Sequence, residues 1–403
     1  MLLTVSKRVG FSASRRLFSP RLSPEENRRV FGEESAARYG TGRNYIAYFV
    51  FSGQPDATTG MLINISEIKA RAGSIINSGY DHRFLNEDNP AFHQEPPTAE
   101  NIARQLLADV APLFRDGPAQ LTAVHLCETP RHSATAYATG AVEANYWFEF
   151  SAARRTRSPR LSDAENQNLF GVSVHEHGHN YRARLTLRNE NSSSAPLEAD
   201  EAIASLINLV RQQLDHKNLS CDVEALRDRP TTTESLARFL LERAKERLSG
   251  VARIRLHERD DFFAEAWNDR TMLLGMRASF SAAHRLHVAS YSAERNVELF
   301  GKCNNPRGHG HTYLTEASIT GEYDRRTGAL FSFDQMHDAI DRALTPWHDK
   351  HLDLETAEFI SQPSTGENIV RALWPKLDRA LEQQLVRLRL WETENNRFTL
   401  RRT

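Results

Sequence analysis

An internal repeat is the feature that most restricts how this 403-residue chain can fold. Three similar segments begin at Phe11, Phe150 and Phe280, and they read Phe-Ser-Ala-Ser-Arg-Arg, Phe-Ser-Ala-Ala-Arg-Arg and Phe-Ser-Ala-Ala-His-Arg. Each is followed by a segment like Leu-Ser-Pro-Glu-Glu-Asn and then by Phe-Gly. Because the repeated unit is as long as a small domain, the sequence predicts three tandem domains and not a solenoid of short repeats.

The three units are predicted to span residues 1–140, 141–270 and 271–403. Each unit follows the order strand, strand, helices, strand, strand, which is typical of an α+β domain. No long Gly/Ser-rich or Pro-rich linker separates the units, so we expect them to pack directly together. Pairing of strands between units would cover sheet edges that otherwise promote aggregation.

The elements of the third unit are predicted from its hydrophobic periodicity. They are a strand over Tyr313–Thr320, a turn over residues 324–328, a helix through Met336, Ile340 and Leu344, a helix opened by a capping box at Ser364–Glu367, and a strand over Leu385–Thr393. Pro375 is expected to kink or interrupt the second helix. In the second unit, a loop over Asn189–Pro196 replaces the turn.

The composition excludes several classes of function. The 51 basic residues balance 52 acidic ones, which argues against a nucleic-acid or membrane surface. The cysteines Cys127, Cys221 and Cys303 are too few for a disulfide framework and indicate a reducing compartment. The apolar run at Met1–Val5 is too short for a signal peptide, and no stretch is long enough to span a membrane. We therefore expect a cytoplasmic protein.

Metal-ligating residue types are concentrated near the start of the third unit. His309 and His311 lie two residues apart on a predicted strand, so their side chains leave the same face, and His284 lies at the end of an earlier strand. Three neutral imidazoles would leave one position of a zinc ion open, as catalytic zinc sites require. Cys303 lies in a nearby turn, where a cation would favour its thiolate. The alternative is a polar hairpin with solvated histidines.

These residues resemble a known family. The pattern Phe-Ser-Ala-Ala-His, followed by Gly-Lys-Cys-Asn-Asn-Pro-Arg-Gly-His-Gly-His, is very similar to that of 6-pyruvoyl-tetrahydropterin synthases. The resemblance covers residues 272–403 and, more weakly, the whole chain. It implies a zinc enzyme that acts on 7,8-dihydroneopterin triphosphate and has the tunnelling fold (T-fold), in which each unit is an antiparallel sheet with helices on one face. Family trimers join their sheets into a barrel and stack in pairs, so the chain should be a pseudo-trimeric barrel, and two chains should associate.

The metal ligands are not repeated equally in the three units. In the first unit, Arg15, Thr41 and Arg43 replace the histidines, and Glu34 lies near the cysteine position, so this unit is predicted not to bind zinc. The second unit, which is partly degenerate, keeps His177 and His179 but has Arg154 at the first ligand position, and a guanidinium there would repel a dication. His175 lies on the same face, so a rescued metal site in this unit remains an alternative. Only the third unit has the complete motif.

Two further groups recur in all three units. Glu128, Glu258 and Glu392 each continue an apolar face of a late strand. The resemblance implies that this glutamate anchors the pterin ring; the alternative is a basic partner on a neighbouring strand. Each unit also has a Thr/Glu helix start, represented in the third by Thr365 and Glu367. In the family this segment holds the pterin, although helix capping explains the same residues equally well.

An Asp-His pair occurs as Asp81-His82 and as Asp215-His216, but the third unit carries it reversed, as His348-Asp349. The resemblance implies that this pair joins the cysteine in proton transfer and comes from a neighbouring subunit. Because the third unit carries the pair reversed and the others lack the complete metal motif, we expect one composite site per chain, formed between the third unit and one neighbouring unit. That neighbour would donate either Asp81-His82 or Asp215-His216.

The resemblance therefore predicts conversion of 7,8-dihydroneopterin triphosphate to 6-pyruvoyl-tetrahydropterin, with loss of triphosphate. A sister enzyme uses the same substrate to form 6-carboxytetrahydropterin, a queuosine precursor. Five residues separate Cys303 from His309, as in the pyruvoyl-forming type, whereas the sister type usually has three. A pterin- or zinc-binding protein without activity is the third alternative, but such a protein would not need Cys303.

Overall fold

The computed structural model describes residues 1–190 and 200–403. The strands are β1 (Leu2–Arg15), β2 (Thr41–Gly53), β3 (Arg83–Phe84), β4 (Ala119–Thr129), β5 (His132–Tyr137), β6 (Val142–Arg154), β7 (His177–Asn189), β8 (Lys217–Asn218), β9 (Val251–Arg259), β10 (Phe262–Trp267), β11 (Met272–His284), β12 (His309–Thr320), β13 (Lys350–His351), β14 (Leu385–Thr393) and β15 (Asn396–Arg401). Each unit thus contributes four long strands and one two-residue strand.

The helices lie between these strands in the order that the repeat predicts. They are α1 (Pro24–Phe31), α2 (Ile65–Gly79), α3 (Leu85–Asp88), α4 (Ala99–Val110), α5 (Asp163–Phe170), α6 (Asp200–Leu214), α7 (Thr233–Lys245), α8 (Ala293–Phe300), α9 (Phe333–Leu344), α10 (Leu352–Glu355) and α11 (Gly366–Ala380). In the part of the chain that the structure describes, no helix combines the length and apolarity needed to cross a bilayer.

The twelve long strands form one closed antiparallel barrel. Strands of successive units pair with each other, β5 with β6 and β10 with β11, and the barrel closes where β15 pairs with β1. Each unit therefore hydrogen-bonds to both of the others, and no long strand in the described part of the chain is left with a free edge. The predicted α+β architecture of three T-fold units in a pseudo-trimeric barrel is confirmed.

The helices cover one face of the sheet, and the alternation of side chains along each strand separates this face from the barrel interior. On β4, Val124 and Leu126 are buried in the core beneath the helices, whereas His125 between them points to the opposite side. On β14, Leu388 and Leu390 are buried in the same way, and Arg389 points inward. Apolar packing thus lies outside the sheet, and polar side chains line the interior.

One local prediction is wrong, another is wrong in its second alternative, and a third lies outside the described residues. The helix α11 is not interrupted at Pro375, because burial of Leu373, Trp374 and Leu377 along one face holds the helix together despite the missing donor. Its start is not a capping box: Thr365 caps the amide of Asn368, but the side chain of Glu367 turns to another unit. The loop predicted over Asn189–Pro196 falls largely in residues 191–199, outside the described part of the chain.

Candidate functional site

The register of two strands in the third unit brings three histidines together. The last residue of β11, His284, lies opposite the first residue of β12, His309, while His311 lies opposite Ala282. The Nε2 atoms of His284 and His309 are 3.1 Å apart, and ligand atoms of all three imidazoles lie within 4.8 Å of one another. The three side chains therefore converge, as the sequence predicts.

The hydrogen bonds of these histidines fit a bound divalent cation. His284 Nδ1 donates to the carbonyl oxygen of Ser364 at 3.1 Å, which leaves the lone pair of its Nε2 directed at the other two rings. His309 Nδ1 and His311 Nε2 are buried and have no hydrogen-bond partner among the described residues. Burial lowers the pKa of His284 to about 4, so this ring is neutral, the state in which imidazole binds metals.

Glu392 lies beside the histidines at the end of β14. Its Oε1 is 3.7 Å from His284 Nε2 and 3.8 Å from His311 Nε2. The other oxygen, Oε2, accepts a hydrogen bond from Asn396 at 3.0 Å, and Asn396 in turn accepts one from Lys7 of unit one at 2.8 Å. One carboxylate oxygen is therefore fixed by the protein, while the other faces the histidines.

Cys303 lies in the 3-10 turn Gly301–Asn304 that follows α8. Its carbonyl oxygen accepts a hydrogen bond from the amide of Leu286, which fixes the turn next to the end of β11. Burial raises the pKa of the thiol, and the charge of Glu392 raises it further, whereas Lys302 opposes the shift. The protein groups around Cys303 therefore favour the thiol, and the expected stabilisation of a thiolate would have to come from a bound cation.

The site lies at the boundary between the third unit and the first. Glu367, in the first turn of α11, is buried and accepts a hydrogen bond at 2.9 Å from the backbone amide of Leu62. Burial raises the pKa of Glu367 to about 7. The contact from Leu62 was not predicted from the sequence. The repeat could have indicated it, because the equivalent contact occurs at another boundary: the amide of Leu330 in the third unit donates to Glu234 of the second.

Both Asp-His pairs are placed against the first strand of their own unit. Asp81 accepts from the amide of Ser12 at 2.8 Å, and Asp215 accepts from Ser151 at the same distance. The side chains of His82 and His216 are each 84% exposed. Among the described residues, the hydrogen bonds and ion pairs of these two pairs lie within their own units, so a donation to Cys303 stays a prediction.

The reversed pair of the third unit exchanges the two side chains in space as well as in sequence. His348 Nδ1 accepts the amide of Ser281 at 3.1 Å, the position that a carboxylate takes in the other units. Asp349 has the positive φ of 58° that His82 and His216 adopt, 54° and 56°. The acid and base are therefore interchanged on the same backbone.

In unit one, Arg15 occupies the position of His284 and engages the glutamate. Its Nε donates to Glu128 Oε1 at 2.8 Å, and its Nη1 donates to Glu34 Oε2 at 2.7 Å. The second oxygen of Glu128 contacts His132 Nδ1 at 3.0 Å. Both carboxylate oxygens of Glu128 are thus bound by protein groups. In this unit the glutamate has a basic partner, which was the alternative to pterin binding.

Unit two combines features of the other two. Arg154 contacts Glu258 Oε2, while His179 Nε2 lies 3.0 Å from Glu258 Oε1. Ligand atoms of His177, His179 and Glu258 lie within 4.8 Å of one another. The third potential ligand in this unit is therefore Glu258, whereas His175, the residue suggested by the sequence, contributes its carbonyl oxygen to His177.

The barrel and the three converging histidines define the class of protein. It is a tandem T-fold protein whose three-histidine site lies at the boundary between two units. The chain belongs to the family described as 6-pyruvoyl tetrahydropterin synthase, whose sequence model matches residues 4–139, 144–269 and 274–403. The expectation of an enzyme of this type is confirmed at the level of the family.

Known proteins of this family match about one unit of the chain. The 6-pyruvoyl tetrahydrobiopterin synthase of Homo sapiens is 38% identical over 122 residues, which are 30% of this chain and 84% of that protein. That of Drosophila melanogaster is 37% identical over 131 residues, 32% of this chain and 78% of its own length. The structure of the Caenorhabditis elegans 6-pyruvoyl tetrahydropterin synthase is 32% identical, with a TM-score of 0.32, and the match covers 33% of this chain and 96% of that one.

Proposed function

We propose that the chain is a zinc-dependent lyase that converts 7,8-dihydroneopterin triphosphate to 6-pyruvoyl-tetrahydropterin with loss of triphosphate, at one site in unit three. The observation that carries the proposal is the convergence of His284, His309 and His311, with one oxygen of Glu392 within 3.8 Å of the first and last of them. The corresponding glutamates of units one and two contact arginines instead. Membership of the family supports the type of reaction.

His284, His309 and His311 would hold the metal ion. Bound zinc would act as a Lewis acid on oxygens of the substrate side chain and lower the pKa of its hydroxyl groups. The protein contributes neutral, oriented ligands: burial keeps His284 unprotonated at neutral pH, and the carbonyl of Ser364 fixes its ring.

Glu392 would orient the substrate ring. A pterin presents a 2-amino group and a ring N–H, and a carboxylate can accept both. Asn396 holds one oxygen of Glu392, so the direction of the carboxylate is set before the ligand arrives. Thr365 and Glu367 lie at the start of α11, and the charge of Glu392 contributes to the raised pKa of Glu367, so we include both residues in the substrate-binding group.

Cys303 would transfer protons at the carbons between the ring and the triphosphate, assisted by an Asp-His pair. Within one chain, His82 and His216 are exposed at their own units. In place of a donation between units of one chain, we therefore propose that two chains associate and that one pair serves Cys303 across their contact. Combined replacement of Asp81-His82 and Asp215-His216 by alanine should then abolish turnover while leaving bound zinc unchanged. Full turnover in that variant would eliminate the Asp-His role.

The remaining partner is the pterin triphosphate, and we propose neither a nucleic-acid nor a membrane partner because the formal charge is balanced. The three cysteines are all free in this structure, which supports a cytoplasmic location.

The test is a turnover assay with 7,8-dihydroneopterin triphosphate that measures triphosphate release and identifies the pterin product. The proposal predicts release of triphosphate, a 6-pyruvoyl product, and loss of both in Cys303→Ala. A 6-carboxy product would assign the chain to the sister reaction. Zinc binding without any turnover would replace the lyase by a pterin- or zinc-binding protein.

A further inference from the structure

The three boundaries between units each carry a cross-strand pair at the same register. In each unit, the first residue of the last strand lies four positions after the glutamate near the end of the preceding strand. This residue pairs with a residue on the first strand of the next unit. The pairs are His132 with Tyr146, Phe262 with Met276, and Asn396 with Lys7. The backbone position is therefore the same at all three boundaries, and only the side chains differ.

The side chains of these pairs meet in three different ways. At the boundary of units one and two, the ring of His132 stacks on that of Tyr146, with ring centroids 4.8 Å apart. At the boundary of units two and three, both side chains are apolar and buried. At the boundary of units three and one, the ammonium group of Lys7 donates to the amide oxygen of Asn396 at 2.8 Å. Of the three boundaries, the one that borders the three histidines is thus the one with a lysine at this strand position.

The first member of the pair also determines how the neighbouring glutamate is held. Asn396 donates from Nδ2 to Oε2 of Glu392 at 3.0 Å. At the equivalent position of unit two, the side chain of Phe262 has no polar atom, so it cannot hold Glu258 in this way. A neutral amide therefore orients the carboxylate of unit three, and that amide is itself bound by a side chain from unit one.

Lys7 selects one orientation of the Asn396 amide. An ammonium group has donors and no acceptor, whereas a carboxylate has acceptors and no donor. The amide oxygen of Asn396 must therefore face Lys7, and its Nδ2 must face Glu392, as the distances of 2.8 and 3.0 Å show. In the flipped amide, Nδ2 would face the ammonium group and the oxygen would face the carboxylate, so both hydrogen bonds would be lost.

We propose that Lys7 of unit one is a positioning residue for ring binding in unit three. It holds Asn396 in the orientation that fixes Oε2 of Glu392. Oε1 of that carboxylate, which lies 3.7 and 3.8 Å from two of the imidazoles, then keeps one direction. An acceptor that is oriented in advance binds more tightly, because less freedom is lost when the ligand arrives. The inference rests on the proposed role of Glu392 as the acceptor for a pterin ring.

The test compares the full chain with its variant Lys7→Met. The KM for 7,8-dihydroneopterin triphosphate and the Kd of 7,8-dihydroneopterin should both rise about tenfold, because the hydrogen bond that orients a charged acceptor is lost. The kcat should change by less than about twofold, since Glu392 binds the unreacting ring equally in the ground state and the transition state. Lys7→Arg should recover most of the lost affinity, because a guanidinium group also donates without accepting.

A double-mutant cycle tests whether Lys7 acts through the amide of Asn396. In the background of Asn396→Ala, Lys7→Met should raise the KM by less than about twofold, because the side chain through which it acts is already absent. Lys7→Met/Asn396→Phe reproduces the apolar pair of Phe262 and Met276, which the fold already accommodates. This variant should therefore fold and should show the same loss of affinity. Tyr146→Met, at the equivalent strand position of another boundary, is the matched control and should change neither KM nor Kd.

Three outcomes would overturn the proposal: unchanged KM and Kd in Lys7→Met, a fall in kcat with unchanged KM, or independent losses of Lys7→Met and Asn396→Ala in the cycle. The outcomes also separate this inference from the lyase activity. If the wild type binds 7,8-dihydroneopterin without releasing triphosphate from the substrate, the lyase proposal fails, and the Kd values still decide the role of Lys7. A wild type that binds no 7,8-dihydroneopterin would overturn the role of Glu392 and that of Lys7 together.

Discussion

At the scale of single residues, one position determines how the late-strand glutamate is used. His284 in unit three leaves an oxygen of Glu392 facing the imidazoles of His284 and His311. An arginine at the same position in the other units forms a buried ion pair with Glu128 or Glu258. Removing one partner of such a pair costs about 3–5 kcal/mol, so we expect the ion pairs of these two glutamates to contribute to the stability of the fold.

This interpretation predicts that Arg154→His will create a second metal site. Arg154 is paired in register with His177 across β6 and β7, as His284 is paired with His309. An imidazole there would complete a three-histidine set next to His179, and we expect about one additional zinc ion per chain after dialysis, measured by elemental analysis.

The matched control is Arg15→His in unit one. The register partner of Arg15 is Thr41, and Arg43 replaces the third histidine, so a single new imidazole has no second one to join it. Zinc content should stay at the wild-type value in this variant. A gain in Arg15→His, or none in Arg154→His, would refute the idea that the arginine alone blocks the second unit.

A second prediction at this scale concerns Glu234, which is buried and accepts from the amide of Leu330. Burial raises its pKa from the ordinary 4.5 to about 7. Between these values the folded protein holds a proton that the unfolded chain releases, so this group makes the free energy of unfolding fall as the pH rises from 4.5 to 7.

Glu234→Gln removes this proton uptake, so its stability relative to wild type should increase by about 1–3 kcal/mol between pH 5 and pH 8. Urea unfolding at several pH values measures the difference. The exposed Glu224→Gln should show no such trend. A difference between Glu234→Gln and wild type that is flat across this range would show that Glu234 is ionised in the folded protein.

At the scale of elements, strand register determines where the functional side chains lie. It also requires close packing where two units meet. Gly275 on β11 pairs with Phe263 on β10, at the junction of units two and three. A Cβ atom added at Gly275 would collide with the ring of Phe263, which is fully buried and has the guanidinium of Arg255 above it. The junction thus depends on the absence of a side chain.

Gly275→Ala should therefore lower the free energy of unfolding by about 1–3 kcal/mol through overpacking. Gly73, within α2, has no atom within 4 Å of an added Cβ, so Gly73→Ala should instead stabilise the protein by about 0.5–1 kcal/mol. Denaturant midpoints measure both. Equal effects of the two substitutions would mean that the β10–β11 contact is not tightly packed.

The sequence predicted these elements well where periodicity is strong. The strand expected at Leu385–Thr393 has those limits, and the helix through Met336 and Leu344 is α9. Of the kink or interruption expected at Pro375, the interruption does not occur, because tertiary burial outweighs the local preference of proline. The alternation of side chains also predicts that Arg389 and Leu390 lie on opposite faces of the sheet. It does not predict that the sheet closes into a barrel with Arg389 on its inner face.

At the scale of the whole molecule, three similar units lie in one chain. Their sequences differ, so the contacts at the three boundaries between units can differ as well. The identity of the three histidines could be read from the motif, because two residues on one strand and one on its partner converge whatever the surroundings. The contact of Glu367 with Leu62 could not, because it depends on which unit is the neighbour. The contacts that occupy Glu128 and Glu258 likewise required the folded arrangement.

The most direct test of the account is the zinc content of the purified chain, measured in wild type, in His309→Ala and in its counterpart His177→Ala from unit two. We predict about one zinc ion per chain, lost in His309→Ala and retained in His177→Ala, because among the described residues three imidazoles converge only in unit three. About two zinc ions per chain, or loss of zinc in His177→Ala with retention in His309→Ala, would contradict a single metal centre in unit three.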